Sequence, residues 1–205
     1  MLPSGMPLPT VLALDLMDTV VRDPIFNEVP RRLHCTQAQL FQLLDGQAWV
    51  DFETGAIDEE AYLARMFSRP PPPGVVGADL RDTILASYRF VEKMDSLLAE
   101  LHRGSARLWV LSNYSPWVER MRLDLQLDRF FEGYVVSCVT GYRKPDPRAY
   151  GCLTAQTVAP PERTLFVDDR QQNVDAARSL GMQAALFEGA DRLRAELVRL
   201  GLLEG

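Results

Sequence analysis

The sequence predicts an α/β fold in which helices cover both faces of a parallel β-sheet and a further group of helices is inserted after the first strand. Short apolar runs alternate with segments of helical periodicity, as in sheets built from right-handed crossover connections. The first run begins at Val11 and the second only at Arg107, and this interval is too long for one crossover. Polar residues follow four of the runs, at the sheet edge where open α/β sheets bind their ligands.

The strands are predicted from continuous apolar runs, which are typical of parallel strands buried on both faces. The first run, Val11–Leu14, leads directly into Asp15. Later strands are predicted over Arg107–Leu111, Tyr134–Val139, Thr164–Val167 and Gln183–Phe187. Helices are predicted over Val91–Arg103, Trp117–Leu127, Asp146–Gln156, Asn173–Leu180 and Ala190–Leu202. We therefore predict a core domain formed by residues 1–21 and 91–205.

Residues 22–90 are predicted to form an all-helical cap domain over the strand ends. Apolar residues recur at helical spacing over Phe26–Leu33, Thr36–Leu44, Asp58–Phe67 and Ala78–Tyr88. Thr36 and Asp58 are predicted N-caps, and Gly46 and Gly55 are predicted helix ends. The run Pro70–Gly74 predicts a stiff extended connector, because consecutive prolines cannot occupy a helix interior.

Composition narrows the class of partner. The chain has 205 residues, of which 47% are hydrophobic and 24% charged, as in ordinary globular proteins. Its formal net charge of -6 argues against nucleic acid or an anionic membrane surface, because no basic excess exists to neutralise phosphates. A small phosphorylated metabolite held by a few local cations remains compatible with this charge. The oligomeric state is left open.

Cysteine usage and the N-terminal segment predict a cytoplasmic location. The cysteines Cys35, Cys138 and Cys152 are odd in number and lack metal-binding spacing, which favours reduced, inert thiols. Residues 1–10 have neither the apolar core of a signal peptide nor an Arg-rich transit character. No apolar run approaches the length of a membrane span.

The polar clusters at the strand ends form a set that suits phosphoryl transfer. Asp15 follows the first strand, Ser112 and Asn113 the second, Lys144 comes after the third, and Asp168 with Asp169 ends the fourth. Each cluster alone is compatible with a helix cap or a solvated loop charge. Together, at one sheet edge, a carboxylate can attack phosphorus, Asp15 and Asp168 can hold Mg²⁺, and Lys144 with Ser112 can hold phosphoryl oxygens.

Longer stretches around these residues resemble the haloacid dehalogenase superfamily of hydrolases, most of which are Mg²⁺-dependent phosphohydrolases. The resemblance covers residues 11–187 and implies a Rossmann-like parallel sheet with a helical cap inserted after the first motif. It is carried by residues 111–117 (LSNYSPW), 141–147 (GYRKPDP) and 166–173 (FVDDRQQN). Within the superfamily, residues 15–24 (DLMDTVVRDP) with 112–114 most resemble flavin mononucleotide hydrolases of the plant plastid type.

The resemblance assigns a role to each polar residue. It implies that Asp15 is the nucleophile that becomes an aspartyl phosphate, that Ser112 is the second-motif hydroxyl, and that Lys144 is the third-motif lysine. Asp168 and Asp169 would be the metal-binding acids of the fourth motif. The implied cofactor is Mg²⁺.

One position departs from the family pattern. Superfamily phosphatases carry a second Asp two residues after the nucleophile, as general acid and base, and this chain has Met17 there. The Met17 carbonyl can still be a metal ligand, but a proton carrier typically contributes about 10²- to 10⁴-fold to rate. If the extended register continued, Asp15, Met17 and Thr19 would share one face, and Asp18 would point away. Glu53 of the cap or water are the predicted substitutes.

The departure keeps two other functions open. Dehalogenases also lack the second Asp, but they need no metal, and Asp168 with Asp169 would then repel a neighbouring nucleophilic carboxylate. A catalytically impaired member that binds a phosphorylated ligand is the other alternative. Retention of Asp15, Ser112, Lys144 and both acids favours an active phosphatase.

The predicted cap supplies candidate substrate contacts. Trp49, Phe52 and Glu53 precede the turn at Gly55 and would place two aromatic rings and an acid near the catalytic edge. If they face the site, a flat aromatic substrate such as a flavin would have surfaces on which to stack. The alternative is that Trp49 and Phe52 only pack the cap helices together. Ser112, Asn113 and Lys144 complete the predicted substrate-binding set.

Overall fold

A five-stranded, fully parallel sheet forms the centre of the protein in the computed structural model, which describes residues 7–26 and 28–205. The strands are β1 (Val11–Leu14), β2 (Arg107–Ser112), β3 (Gly133–Val136), β4 (Thr164–Asp168) and β5 (Gln183–Leu186). Their order is β3-β2-β1-β4-β5, so β1 is central and pairs with β2 on one side and β4 on the other. The predicted parallel α/β architecture is therefore confirmed, and the ends of β1, β2 and β4 are neighbours.

The chain between β1 and β2 forms helices. They are α1 (Glu28–Leu33), α2 (Gln37–Leu43), α3 (Gly46–Glu53), α4 (Glu59–Arg65) and α5 (Gly77–Leu85). Thr36 and Asp58 are N-caps as predicted, and Thr36 forms a reciprocal capping box with Gln39. Gly55 follows α3 with a φ of 73°, the left-handed conformation that suits glycine after a helix.

The prediction that Gly46 ends a helix is wrong. Gly46 is the first residue of α3, because the Asp45 carboxylate accepts hydrogen bonds from the Gln47 and Ala48 N–H groups and caps a new helix there. The sequence prediction missed this helix. Its consequence is that Trp49, Phe52 and Glu53 belong to a regular helix rather than to a turn.

The later helices alternate with the strands. They are α6 (Met94–His102), α7 (Val118–Asp124), α8 (Ser137–Thr140), α9 (Pro147–Thr157), α10 (Gln171–Ser179) and α11 (Ala190–Arg199). Several predicted bounds differ from the observed ones by up to three residues, and two of these differences have a local cause. The helix predicted from Val91 begins at Met94, because Lys93 is left-handed with a φ of 63°. The strand predicted to reach Val139 ends at Val136, where the helical turn α8 begins.

Alternate residues of β1 enter different apolar cores. Leu12 and Leu14 pack on the side that includes α6, α7 and the inserted helices, whereas Val11 and Ala13 pack towards α9 and α10. All four are fully buried, as expected for a central parallel strand covered on both faces. The strand is thus fixed from both sides immediately before Asp15.

The chain leaves and re-enters the core at adjacent points. Val21 pairs with Phe90 in an antiparallel bridge, and the Arg22 N–H donates to the Arg89 carbonyl at 2.9 Å. The division into a core and a cap over residues 22–90 stays a prediction. The prediction that residues 1–10 carry no targeting signal falls partly on residues 1–6, which lie outside the described residues, as does Asn27 within the predicted helix 26–33. Over residues 7–26 and 28–205, no helix is both long and apolar enough to traverse a lipid bilayer.

Candidate active site

The segment after β1 places several polar groups at one edge of the sheet. The strand ends at Leu14, and Asp18 adopts a left-handed φ of 53°, so extended alternation stops. Asp15, Met17 and Asp18 consequently all line one cavity, while Thr19 is fully buried. The expected face shared by Asp15, Met17 and Thr19 is therefore wrong, and so is the expectation that Asp18 points away.

Lys144 connects the ends of three strands. Its ammonium lies 2.8 Å from Asp15 Oδ1 and 2.6 Å from Asp168 Oδ2, and it donates to the Leu111 carbonyl at 2.7 Å. Only 3% of Lys144 is exposed, so these contacts are made in a low-dielectric interior. A lysine held between two buried carboxylates has one fixed position, which the sequence placed correctly at this edge.

Two asparagines hold the charged groups in place. Asn113 donates to the Lys144 carbonyl at 2.9 Å and accepts from the Lys144 N–H at 2.7 Å. Asn173 Nδ2 lies 3.0 and 3.1 Å from the two oxygens of Asp168, and the Arg170 N–H donates to Asp168 Oδ1 at 2.8 Å. Asn113, predicted to bind substrate, lines the cavity and also uses its amide to fix the Lys144 loop. The role of Asn173 was missed, because the sequence places it only as the first residue of a predicted helix.

The carboxylate cluster is short of positive charge. Asp15, Asp168 and Asp169 each place an oxygen within 4.8 Å of the others. Burial raises the pKa of Asp15, and the charge of Asp168 raises it further, while Lys144 opposes both. Burial, Asp15 and Asp168 together raise the pKa of Asp169 to about 6. Three hard oxygen donors that repel one another suit a divalent cation such as Mg²⁺.

Ser112 and Met17 flank the cluster. Ser112, predicted to bind substrate, is buried beside Asp15 and is not among the described residues that line the cavity. It lowers the pKa of Asp15, although its Oγ forms no well-aligned hydrogen bond within the described residues. Met17 lines the cavity and is only partly buried. Its thioether is not a ligand that Mg²⁺ prefers, so only its carbonyl could join a metal site.

A cavity of about 300 Å³ opens over this cluster. Its floor includes Asp15, Lys144 and Asp169, and its walls come largely from the inserted segment. The apolar wall consists of Ile25, Phe26, Phe41, Leu44, Trp49, Tyr62, Ile84 and Tyr114. The volume of the cavity is at the lower end of the range for small-molecule sites.

The three predicted cap contacts divide between lining and packing. Trp49 and Glu53 line the cavity. Phe52 does not, because it is fully buried and stacks on Tyr62 at 4.6 Å between ring centroids, with Trp117 at 5.2 Å. The structure therefore corrects the predicted substrate contact of Phe52, which supports the wall from behind.

Glu53 forms an ion pair that the sequence analysis missed. Its Oε1 lies 2.6 Å from Arg143 Nε, and Arg143 also lines the cavity. Burial raises the pKa of Glu53, and the positive charge of Arg143 opposes that rise. Arg143 precedes Lys144, so one loop supplies cations to both the insertion and the catalytic edge.

Fold and site together define a hydrolase of Rossmann-like architecture, and the comparisons with known proteins agree. The family model described as haloacid dehalogenase-like hydrolase matches residues 36–181. A relative named flavin mononucleotide hydrolase 1, from the Arabidopsis thaliana chloroplast, is 32% identical over 94% of this chain and 78% of the relative. The chain belongs to the haloacid dehalogenase-like hydrolase family.

Two further proteins extend the comparison. The sesquiterpene phosphatase astK of Aspergillus oryzae is 30% identical over 68% of this chain and 72% of its own length. A haloacid dehalogenase family enzyme from Bacteroides thetaiotaomicron, solved with magnesium and inorganic phosphate, has a TM-score of 0.67 and 19% identity. That likeness covers 89% of this chain and 96% of the other, and at this identity it shows the fold alone.

Proposed function

We propose that this hydrolase cleaves small phosphate monoesters with Mg²⁺ through an aspartyl phosphate on Asp15. The observation that carries the proposal is the convergence of Asp15, Asp168 and Asp169 within 4.8 Å of one another beside a cavity, where the buried Lys144 ammonium pairs with Asp15 and Asp168. Burial first, and the charges of the neighbouring carboxylates after it, raise the pKa values of Asp15 and Asp169, and a bound cation would offset both effects. The dehalogenase alternative has no use for this metal-binding arrangement.

Different residues of this chain would take different parts in the reaction. Asp15 attacks phosphorus from the floor of the cavity, while Lys144 and Ser112 stabilise the charge that develops on the phosphoryl oxygens. Asp15, Asp168, Asp169 and the Met17 carbonyl are the groups that would hold Mg²⁺. When bound, the ion supplies positive charge that keeps Asp15 ionised and neutralises the phosphate.

The substrate we propose is a flat aromatic phosphate such as flavin mononucleotide. Trp49, Tyr62 and Tyr114 give the cavity an aromatic wall above the acidic floor. The relative named for flavin mononucleotide hydrolysis spans nearly the whole chain. Residues 22–90 would act as the cap that selects this substrate. A cytoplasmic location stays a prediction, since that relative is named as a chloroplast protein.

A substrate panel tests the proposal. Purified protein is assayed for phosphate release from flavin mononucleotide, glyceraldehyde 3-phosphate, a sesquiterpenyl phosphate and p-nitrophenyl phosphate, with Mg²⁺ and with chelator. We expect Mg²⁺-dependent release, with flavin mononucleotide preferred over the small aliphatic ester. Release that persists in chelator and in Asp15→Asn would contradict the proposed site. Halide release from 2-haloacids without metal would support the dehalogenase alternative instead.

A further inference from the structure

The structure leaves the phosphatase reaction without its usual proton carrier, since Met17 cannot donate or accept a proton. An ester leaving group departs poorly as an alkoxide, so a positioned acid should be found within the same cavity. Besides the acids assigned to the metal, the described carboxyl groups lining the cavity are Asp18, Asp23, Asp45 and Glu53. Resting on the proposed phosphatase function, we propose that Asp23 is the general acid and base of this enzyme, a further catalytic residue in place of the missing Asp at position 17.

Asp23 stands where the chain passes from the core into the inserted helices. Its Oδ1 accepts the Ile25 N–H at 2.9 Å, and its own N–H donates to Asp18 Oδ1 at 3.0 Å. These bonds fix the Asp23 carboxyl in the lining of the same cavity that Asp15 lines. Among residues 7–26 and 28–205, no side chain forms an ion pair or hydrogen bond with Asp23 Oδ2, so this oxygen is available to a ligand.

The surroundings bring the pKa of Asp23 close to neutral pH. Burial raises the pKa of Asp23 to about 7, the charges of Asp18 and Asp15 act in the same direction, and the Ile25 N–H and Arg170 oppose them. The hydroxyl groups of Tyr88 and Tyr114, which lie 2.9 Å apart, also interact electrostatically with this carboxyl. A carboxyl that titrates near 7 can donate and accept a proton within one turnover.

The other acids suit proton transfer less well. Burial also raises the pKa of Glu53, the sequence-based candidate, but its Oε1 is engaged by Arg143 at 2.6 Å, and this ion pair opposes the rise. Asp45 uses its Oδ1 to cap α3. Asp18 Oδ1 accepts the Asp23 N–H, so Asp18 positions the loop that carries Asp23.

Asp23 would act in both halves of the reaction. In the first, an Asp15 oxygen forms a bond to phosphorus, the bond between phosphorus and the ester oxygen breaks, and that oxygen takes the Asp23 proton. In the second, a water oxygen bonds to phosphorus and the bond to Asp15 breaks. The Asp23 carboxylate takes the proton from the water. The sum is ester plus water to alcohol plus phosphate, with Asp15 and Asp23 restored.

Asp23→Asn tests this role through the leaving group. With Mg²⁺, kcat/KM should fall about 10²- to 10⁴-fold for an alkyl phosphate but less than about tenfold for p-nitrophenyl phosphate, whose leaving group needs no proton. Because the second half also loses its base, p-nitrophenyl phosphate should give a burst of nitrophenol equal to the enzyme, followed by slow turnover. In the wild type, kcat/KM for alkyl phosphates should fall above about pH 7 as Asp23 ionises. This fall should be absent in Asp23→Asn, and Asp23→Glu should restore part of the activity.

Met17→Asp provides a second test of the role of Asp23. In the Asp23→Asn background it should raise kcat/KM for alkyl phosphates at least about tenfold, because it restores an acid beside Asp15. In the wild-type background it should lower activity, since it adds a carboxylate to a site already crowded with them. This reversal of sign is a coupling that loss of structure alone would not produce.

The outcomes separate this inference from the proposed function. Suppose that the wild-type protein shows Mg²⁺-dependent activity that Asp15→Asn abolishes. If Asp23→Asn then lowers kcat/KM equally for alkyl and aryl phosphates, and no burst of nitrophenol is seen, Asp23 is not the proton carrier. The same conclusion follows if Asp18→Asn, rather than Asp23→Asn, gives the leaving-group effect. Absence of any Mg²⁺-dependent phosphate release from the wild-type protein would overturn the phosphatase function itself.

Discussion

The catalytic edge of the sheet and the wall formed by the inserted helices use different physical chemistry around one cavity. At the edge, charged groups contact one another directly, as in the 2.6 Å pair of Lys144 and Asp168. At the wall, aromatic rings pack on one another, as in the stacked pair of Phe52 and Tyr62. The edge is held by hydrogen bonds from Asn113 and Asn173, whereas the wall is held by area buried between rings.

This difference has a consequence for function. Charges on rigid strand ends in a low-dielectric site stabilise charge in a transition state strongly, because they need no reorganisation. Aromatic contacts contribute smaller, substrate-dependent amounts, about 0.5–1.5 kcal/mol per ring pair beyond the area buried. Substitutions at the edge should therefore change rate on every substrate, and substitutions at the wall should change preference among substrates.

The largest effect is expected at Asp15. Asp15→Asn should lower kcat by at least about 10³-fold on all phosphate esters, because an amide is a poor nucleophile and a poor metal ligand. The measurement is steady-state phosphate release with saturating Mg²⁺. Substantial residual turnover that still needs Mg²⁺ would place the nucleophile elsewhere.

Lys144→Ala should be next in size. Loss of the buried ammonium removes about 2–4 kcal/mol of transition-state stabilisation, or about 10²- to 10³-fold in kcat/KM. The chain has one other lysine, Lys93, whose side chain is exposed and paired with Asp191. Lys93→Ala is the matched control and should leave kcat/KM within about twofold, because exposed pairs contribute little. Equal effects of the two substitutions would contradict the division between edge and surface.

Asp23→Asn should make the protein more stable while making it less active. The folded-state pKa of about 7 lies above the ordinary value near 4, so ionising Asp23 opposes folding. The gain should be absent below pH 4, grow as the pH rises towards 7, and level off above pH 7 at up to about 4 kcal/mol, the free energy of a three-unit pKa difference. Urea unfolding of both proteins at pH 4 and pH 8 measures it. A gain that is independent of pH would mean that the charge of Asp23 is not the cause.

The smallest effect is expected at the wall. Trp49→Ala should raise KM for flavin mononucleotide about three- to tenfold, because it removes a ring from the cavity. The KM for small aliphatic phosphates should stay nearly unchanged. Phe52→Leu is the comparison, because Phe52 is buried behind the wall. It should lower the free energy of unfolding by about 1 kcal/mol with little change in KM. If both substitutions change KM alike, the wall does not select substrate through direct contact.

Sequence alone determined the fold class and the composition of the catalytic edge. Parallel strands end at one edge whatever their loops do, so Asp15, Ser112, Lys144, Asp168 and Asp169 could be brought together from their order and the apolar runs before them. The family motifs then assigned roles to these positions. Period and position in the chain were sufficient for Asp15, Ser112, Asp168 and Asp169, which end a strand or lie next to its end. Lys144 follows β3 only after the helical turn α8, and the family motif identified it.

Only the tertiary structure decided what surrounds that edge. Strand alternation could not anticipate that the chain turns at Asp18, with a φ of 53°, and so brings Asp18 and Asp23 to the cavity. Helical periodicity could not tell that Trp49 lines the cavity while Phe52, three residues later, is buried behind it. These outcomes depend on which groups meet across the interface between the inserted helices and the sheet. The local sequence contains apolar faces and turn residues, but their partners are set by long-range packing.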